Sequence, residues 1–391
     1  MKKNILKLLI ITVALLTISL VDAQQNEISI EGITVLGQTK PIPVSIDGFS
    51  GEVAEALKFD LYVQGFTFVS PDAAQYVISG SNASNVQGQL ADKLSKKTLF
   101  SRSYTGASLR KQAHAFADDI VLAVTGKKGI AQTKIAFRGQ PGGVGKGEIF
   151  IADFDGRNSQ AITHDGTIVS APSWVSGRLA LCYNSYKLDN PDIFFHDLTT
   201  GQRKPIARYG GSNISPAVSP DGTKVAMVLS KGGSPNIYVA NLDGTDLKRL
   251  TTGVEDSSPC WSPDGQWICF ATKQNERRVL AKVPVSGGVA QRIPTSGVLN
   301  PTEPDWSPDG KWIAFTSQMG DFNICVIPAT GGTATVIVPG EDPSWSANSR
   351  TVVCALRAGG RYTLSVLDVF TKQSRNAARV TGNDSEPSWA R

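Results

Sequence analysis

Histidine is nearly missing from this chain. Three occur in 391 residues, His114, His164 and His196, and none has a second His, Cys or carboxylate at metal-ligating spacing. No metal centre or histidine-based catalyst follows from that pattern. His114 is expected on a helix, at its surface or against a neighbouring domain, His164 in a connection between strands and His196 at a strand end. A Gly-x-Ser-x-Gly elbow is also missing, which excludes an attached serine hydrolase of the α/β type. The run Gly142-Gly143-Val144-Gly145-Lys146-Gly147 lacks the leading Gly of a phosphate loop and the Ser or Thr after its Lys, so it is expected as a flexible hairpin tip. No catalytic residue, cofactor or metal ligand is assigned.

Long apolar runs are equally scarce. The one from Leu8 to Val21 is too short to span a bilayer comfortably. It follows Lys2 and Lys3 and precedes Val21-Asp22-Ala23, which makes residues 1–23 a Sec signal peptide cleaved after Ala23, and no Cys follows to carry a lipid. Removing those residues lowers the net charge from +5 to about +3, which is no nucleic-acid footprint. Lys93, Lys96 and Lys97 are expected on a solvated strand face or turn. The reading is a soluble protein exported to the periplasm.

Cysteine is sparse for an exported chain, with five residues. Cys182, Cys269, Cys325 and Cys354 stand in strand slots where sibling repeats carry small or apolar residues, as buried packing thiols do. Cys260 and Cys269 flank one hairpin and could face each other; the odd count leaves at least one free thiol.

What the chain has in abundance is a repeated phrase. Pro259-Cys260-Trp261-Ser262-Pro263-Asp264-Gly265 and Pro304-Asp305-Trp306-Ser307-Pro308-Asp309-Gly310 are its clearest copies. Pro216-Ala217-Val218-Ser219-Pro220-Asp221-Gly222 carries Val in the Trp slot, and Pro172-Ser173-Trp174, Pro343-Ser344-Trp345 and Pro387-Ser388-Trp389 are decayed copies. The slots are 44, 43, 45, 39 and 44 residues apart. Ser-Pro-Asp-Gly suits a type I turn, with Pro presetting φ at its second place and Gly at its fourth. A period near forty residues built from strands and turns predicts four-stranded propeller blades. Residues 133–163 supply three strands with nothing in front, and the strand at Trp389 has nothing behind it. Their pairing predicts a six-bladed β-propeller closed by the C-terminal strand, which removes two open sheet edges.

The segment 24–127 is expected to be a small α/β domain preceding the propeller at 128–391. Strand-like pieces lie at Glu27–Ile33, Ile42–Val44, Phe66–Val69 and Tyr76–Ser79, with two polar strands between 84 and 103. One helix carries Val53, Leu57 and Leu61, and a longer one carries Leu109, Ala113, Phe116, Ile120 and Val124, capped by Gly126. The Asp of each turn is explained by the turn rather than by calcium. The repeat tryptophans are expected between blades rather than as sugar platforms. With the Pro-x-Trp strand innermost, Ser170, Ser215, Ser257, Ser258, Thr302, Glu303, Asp342 and Glu386 would line one channel mouth as a ring of small polar residues fit for a protein ligand.

Signal peptide, α/β domain and Trp-Ser-Pro-Asp-Gly blades together resemble the TolB family. The most specific stretch is the junction Leu109-Arg110, Ala113-His114, Asp118-Asp119-Ile120, Thr125-Gly126-Lys127-Lys128-Gly129-Ile130 and Thr133-Lys134-Ile135-Ala136-Phe137. Lys40-Pro41-Ile42-Pro43-Val44 and Asp60-Leu61 with Gly65-Phe66 echo the family's N-terminal motifs. Departures include a short α/β domain and Lys134 and Phe137 in place of Arg and Tyr. The resemblance implies a non-enzymatic monomeric scaffold of the Tol-Pal system, peripheral to the outer membrane, supporting envelope integrity and constriction at division. It implies binding of the lipoprotein Pal at the channel mouth, by Ser212, Ser215, Ser257 and Glu303 within the set completed by Ser258, Thr302, Asp342 and Glu386. It implies binding of TolA through Gln24, Gln25, Asn26, Glu27, Ile28, Ser29, Ile30 and Glu31, of which Asn26–Ile30 reads as an exposed strand suited to β-augmentation. The alternatives are a scaffold for another envelope protein or glycan, and a polysaccharide-lyase-type enzyme.

Overall fold

The computed structural model describes residues 35–141, 145–378 and 380–391. The signal peptide, the strand expected at Glu27–Ile33 and the tip of the 142–147 run lie outside the described residues.

Near the N-terminus the alternating apolar residues form strand β1 (Ile42–Asp47), followed by helix α1 (Gly51–Tyr62). Strands β2 (Phe66–Phe68), β3 (Tyr76–Ser81), β4 (Val86–Asp92) and β5 (Lys97–Tyr104) and helix α2 (Leu109–Thr125) complete this part. The sheet order is β2-β1-β3-β4-β5, parallel around β1 and antiparallel from β3 onwards. α2 begins where the Ser108 hydroxyl accepts from the Lys111 N–H at 3.2 Å. It ends at Gly126, whose φ of 69° is the left-handed cap that a glycine adopts without strain. Phe116 anchors its buried face against Phe49, Phe100 and Tyr104. Gly88 on β4 makes room for that ring, because a Cβ there would lie 2.4 Å from it.

Six four-stranded blades follow. Blade 1 comprises Val169–Trp174, Ala180–Ser185, Asp192–Asp197 and Arg203–Ala207. Blade 2 spans Asn213–Val218 to Lys248–Arg249, blade 3 Ser257–Trp261 to Gln291–Ile293, blade 4 Pro301–Trp306 to Thr335–Pro339, and blade 5 Glu341–Trp345 to Ser374–Asn376. Blade 6 is composite. Asp384–Trp389 pairs antiparallel with Lys134–Gly139, which continues into Glu148–Asp153 and Gln160–Ala161. The expected ring closure is what the chain forms.

In each Ser-Pro-Asp-Gly turn the Gly N–H returns to the Ser carbonyl at 2.9 Å, for Ser219, Ser262 and Ser307 alike. The Asp side chain locks the turn by accepting from the Ser hydroxyl and from the N–H two residues on. The repeat tryptophans lie between blades, as expected. Trp261 donates its indole N–H to the Ala217 carbonyl of blade 2 at 2.7 Å, Trp345 to Asp305 of blade 4 at 3.1 Å and Trp174 to Ser388 of blade 6 at 3.1 Å.

The α/β part is fastened to blades 5 and 6 on the side of those turns. Arg110 pairs with Asp155, Thr351 donates to the Val63 carbonyl and Gln373 to that of Phe66. Phe154 packs among Phe59, His114 and Trp389, edge-on to the first two and tilted against the third. Of its two expected places, His114 takes the one against the neighbouring domain rather than the surface. It is buried at this seam, with Nδ1 at 2.7 Å from Asp60 Oδ2.

Candidate binding site at the channel mouth

Every blade presents its Pro-x-Trp strand to the central channel, and each of those strands breaks register at the residue before Pro. Ala171, Ser215, Ser258, Glu303, Asp342 and Glu386 hold φ between 50° and 55° there, each at the irregularity between the innermost strand and its neighbour. None is glycine, so each adopts a left-handed conformation that costs on the order of 1 kcal/mol or more. The bulge re-aims the side chain. All six residues line one cavity of about 710 Å³ that follows the channel as far as Pro220, Pro263 and Pro308 of the turns.

Charge divides this ring in two. Blades 1 to 3 contribute Ala171, Ser215 and Ser258, whereas blades 4 to 6 contribute Glu303, Asp342 and Glu386, joined by Glu341. Burial pushes the Asp342 carboxyl well above the usual carboxylate range, and the neighbouring Glu303, Glu386 and Glu341 add to the shift. Burial also raises Glu386, against the opposing effects of the Ala171 N–H, which it accepts at 2.6 Å, and of Arg138 at 3.7 Å. Glu303 accepts from Thr316 at 2.6 Å and from the Asp342 N–H at 3.3 Å. Toward the turn side Arg391 reaches across from blade 6. It pairs with Asp305 and donates to the carbonyls of Trp345 at 3.0 Å and Trp306 at 3.3 Å.

Of the residues expected at the mouth, Ser215, Ser258, Glu303, Asp342 and Glu386 line the cavity; Ser170, Ser212, Ser257 and Thr302 do not. Ser170 instead accepts from Asn184, Ser212 donates its N–H to Ser230, and Ser257 accepts from Arg278. The ring is also not uniformly small and polar. The channel-facing slot is the residue immediately before Pro, and reading one residue further back mixes two faces of the strand. Arg138, Glu341, Tyr362 and Arg391 also line the channel and were not expected. The adjacent acids in Gly340-Glu341-Asp342-Pro343 were a visible signal for Glu341; Arg138 and Tyr362 come from other strands and gave none. The segment Gln24–Glu31 lies outside the described residues.

The loops that enter the innermost strands, and those joining each second strand to its third, surround the mouth opposite the α/β part. Exposed apolar side chains gather there: Val254 (66 % exposed), Leu299 (56 %), Ile168, Tyr186 and Met319. Among the described residues no group of three His, Cys, Asp or Glu side chains is placed to hold a metal ion, and no helix is long and apolar enough to cross a membrane.

A family model described as the TolB beta propeller domain matches residues 121–391. The "Tol-Pal system protein TolB" of Bordetella pertussis is 30% identical over 313 residues, which is 78% of this chain and 71% of that protein. The protein of the same name from Bordetella bronchiseptica is 30% identical over 78% of this chain and 70% of its own. The crystal structure of TolB from Acinetobacter baumannii superposes with a TM-score of 0.81 at 24% identity, covering 91% of this chain and 98% of that one. Together with the six closed blades and their bulged inner ring, these likenesses show that the chain belongs to the TolB β-propeller family.

Proposed function

We propose that the protein is a periplasmic scaffold of a Tol-Pal system that binds without turnover. In this reading its propeller mouth docks the soluble domain of the lipoprotein Pal, and Gln24–Glu31 engages TolA, so that the protein supports outer-membrane integrity and constriction at division. Family membership supports the system, and the names of the relatives supply it. The observation that carries the docking face is the set of exposed apolar side chains on the loops that enter the innermost strands, which lead into the strained ring with its small neutral arc beside an acidic one. Apolar side chains ringed by polar ones are what a protein–protein contact uses.

The test is calorimetric titration of the protein with the soluble domain of Pal from the same genome. Saturable binding is expected. Val254→Asp and Leu299→Asp, both at exposed positions, should each weaken it by about tenfold or more and leave the thermal midpoint unchanged. Val289→Asp, 86 % exposed on a turn at the other end, should bind normally. Absence of binding to the folded protein, or equal loss in all three variants, would refute the docking face.

A further inference from the structure

The six bulges repeat one bonding pattern, and half of the ring leaves it incomplete. Ser230 donates its N–H to the Ser212 carbonyl at 3.0 Å, so by strand alternation the N–H of Ser215 turns away from the neighbouring strand and toward the channel. The other bulges share this register, and two of them show what such an N–H meets. That of Asp342 goes to the Glu303 carboxylate of the blade before it at 3.3 Å, and that of Ala171 to the Glu386 carboxylate at 2.6 Å. In both cases the bulged side chain of one blade satisfies the bulged N–H of the next.

Blades 1 to 3 supply no such acceptor. Ala171 has no polar side-chain atom, and the hydroxyls of Ser215 and Ser258 sit two bonds short of where a glutamate carboxylate ends. Among the described residues no side chain meets the N–H of Ser215, Ser258 or Glu303. All three residues line the cavity and are only half-buried, so a ligand can reach them. Arg138, on the wall of the same cavity, keeps a buried Nε without a partner. The N–H of Glu386 is also unclaimed, but it lies between the Asp342 and Glu386 carboxylates, which repel an anion.

We propose that this neutral arc is a carboxylate subsite, in which an Asp or Glu side chain of the docked protein accepts from the N–H groups of Ser215, Ser258 and Glu303 as Glu303 and Glu386 do elsewhere in the ring. A carboxylate accepts from several donors at once, and its bonds are roughly twice as strong as those of a neutral acceptor. The hydroxyls of Ser215 and Ser258 add donors beside the N–H groups. The acidic arc opposite repels the same side chain. A ring of similar blades offers a partner several nearly equivalent rotations about the channel, and this division of charge leaves one of them favourable. The subsite takes its partner from the docking face proposed above; its chemistry stands apart from that reading.

Amide resonances of the isotope-labelled protein test the chemistry by itself. The blocked peptide acetyl-Gly-Asp-Gly-amide should shift the N–H signals of Ser215, Ser258 and Glu303 downfield and saturably. Those of Ala171 and Asp342 should stay in place, because Glu386 and Glu303 already hold them. The Asn counterpart of the peptide, at equal ionic strength, should move none of the five. Equal shifts from both peptides, or no shift at Ser215 and Ser258, would overturn the subsite whether or not Pal binds. Calorimetry with the soluble domain of Pal then tests the partner. Ser215→Glu installs a residue that Glu303 and Glu386 already show in the same left-handed conformation, so it should fold, and its carboxylate takes the Ser258 N–H and repels the incoming one. It should weaken binding by about tenfold or more, and Ser215→Gln, equal in size but uncharged, by several-fold less. Equal loss in the two would assign the effect to bulk and overturn the recognition of charge. Peptide shifts without Pal binding would leave the subsite standing and remove the docking reading.

Discussion

Single residues carry the strain and the titration of this protein. The six left-handed residues before Pro are paid for by the blades that hold them, so relieving or worsening one should register directly. Ser215→Gly should leave stability within about 1 kcal/mol of the parent or raise it, whereas the β-branched Ser215→Val should cost roughly 1–3 kcal/mol; urea denaturation midpoints measure both. Five of these six residues were expected at the mouth, but their strain was invisible to sequence reading for a physical reason. They are Ala, Ser, Glu and Asp, none a glycine, and the steric rule for residues preceding Pro points to extended backbone. Asp60 and His114 were similarly hidden, because the two partners lie 54 positions apart on different helices. Burial lifts the Asp60 carboxyl from its ordinary 3.8 to about 6, partly offset by the bond to His114 and by Arg110, with Asp118 adding to the rise. The folded state then keeps a proton that the unfolded chain releases. Asp60 therefore adds stability that is complete below about pH 4 and is lost as pH rises through about 6, by at most roughly 2–3 kcal/mol. Asp60→Asn, which keeps an acceptor for the ring N–H, should flatten the slope of stability between pH 4 and 7; an unchanged slope would assign the titration elsewhere.

At the scale of elements, the repeat was legible because each blade spells out its own hairpin. Ser-Pro-Asp-Gly is a local signal, and it folded as the local signal required. Both helices were readable, since Val53, Leu57 and Leu61 on α1 and Ala113, Phe116 and Ile120 on α2 are among the residues that bury, although Leu109 and Val124 stay half-buried. Joints between elements were less legible. The tryptophan slots announced packing between blades but not the directed indole bond to the preceding blade. Trp261→Phe retains most of the ring volume and removes the donor to Ala217, so it should cost about 1–2 kcal/mol. If the cost were negligible, packing alone would account for the slot. Arg138 and Tyr362 show the same limit, for the channel wall is assembled from strands far apart in sequence.

Across the whole molecule, the six-bladed count and the closure by Asp384–Trp389 followed from matching incomplete ends, a conclusion that needed no knowledge of side-chain geometry. The extra fastening by Arg391 was not foreseen. It ties blade 6 to blades 4 and 5, and it compensates Asp305, whose carboxyl burial holds above its usual range. Arg391→Ala should lower stability by about 1–2 kcal/mol, discounted for partial exposure, and Arg391→Lys should recover only part of it because the forked donors are lost. Denaturant titration of both variants gives the answer, and equal stability of Arg391→Ala and parent would dismiss the latch. The composite blade also sets an order in time. Trp389 hydrogen-bonds Thr133 across 256 residues of chain, so the strand that follows α2 must wait for nearly all of the remaining polypeptide to emerge before it finds its neighbour. Such long-range pairing is slow to form, and a nascent chain exposes that unpaired edge until Asp384–Trp389 has been made and can cover it.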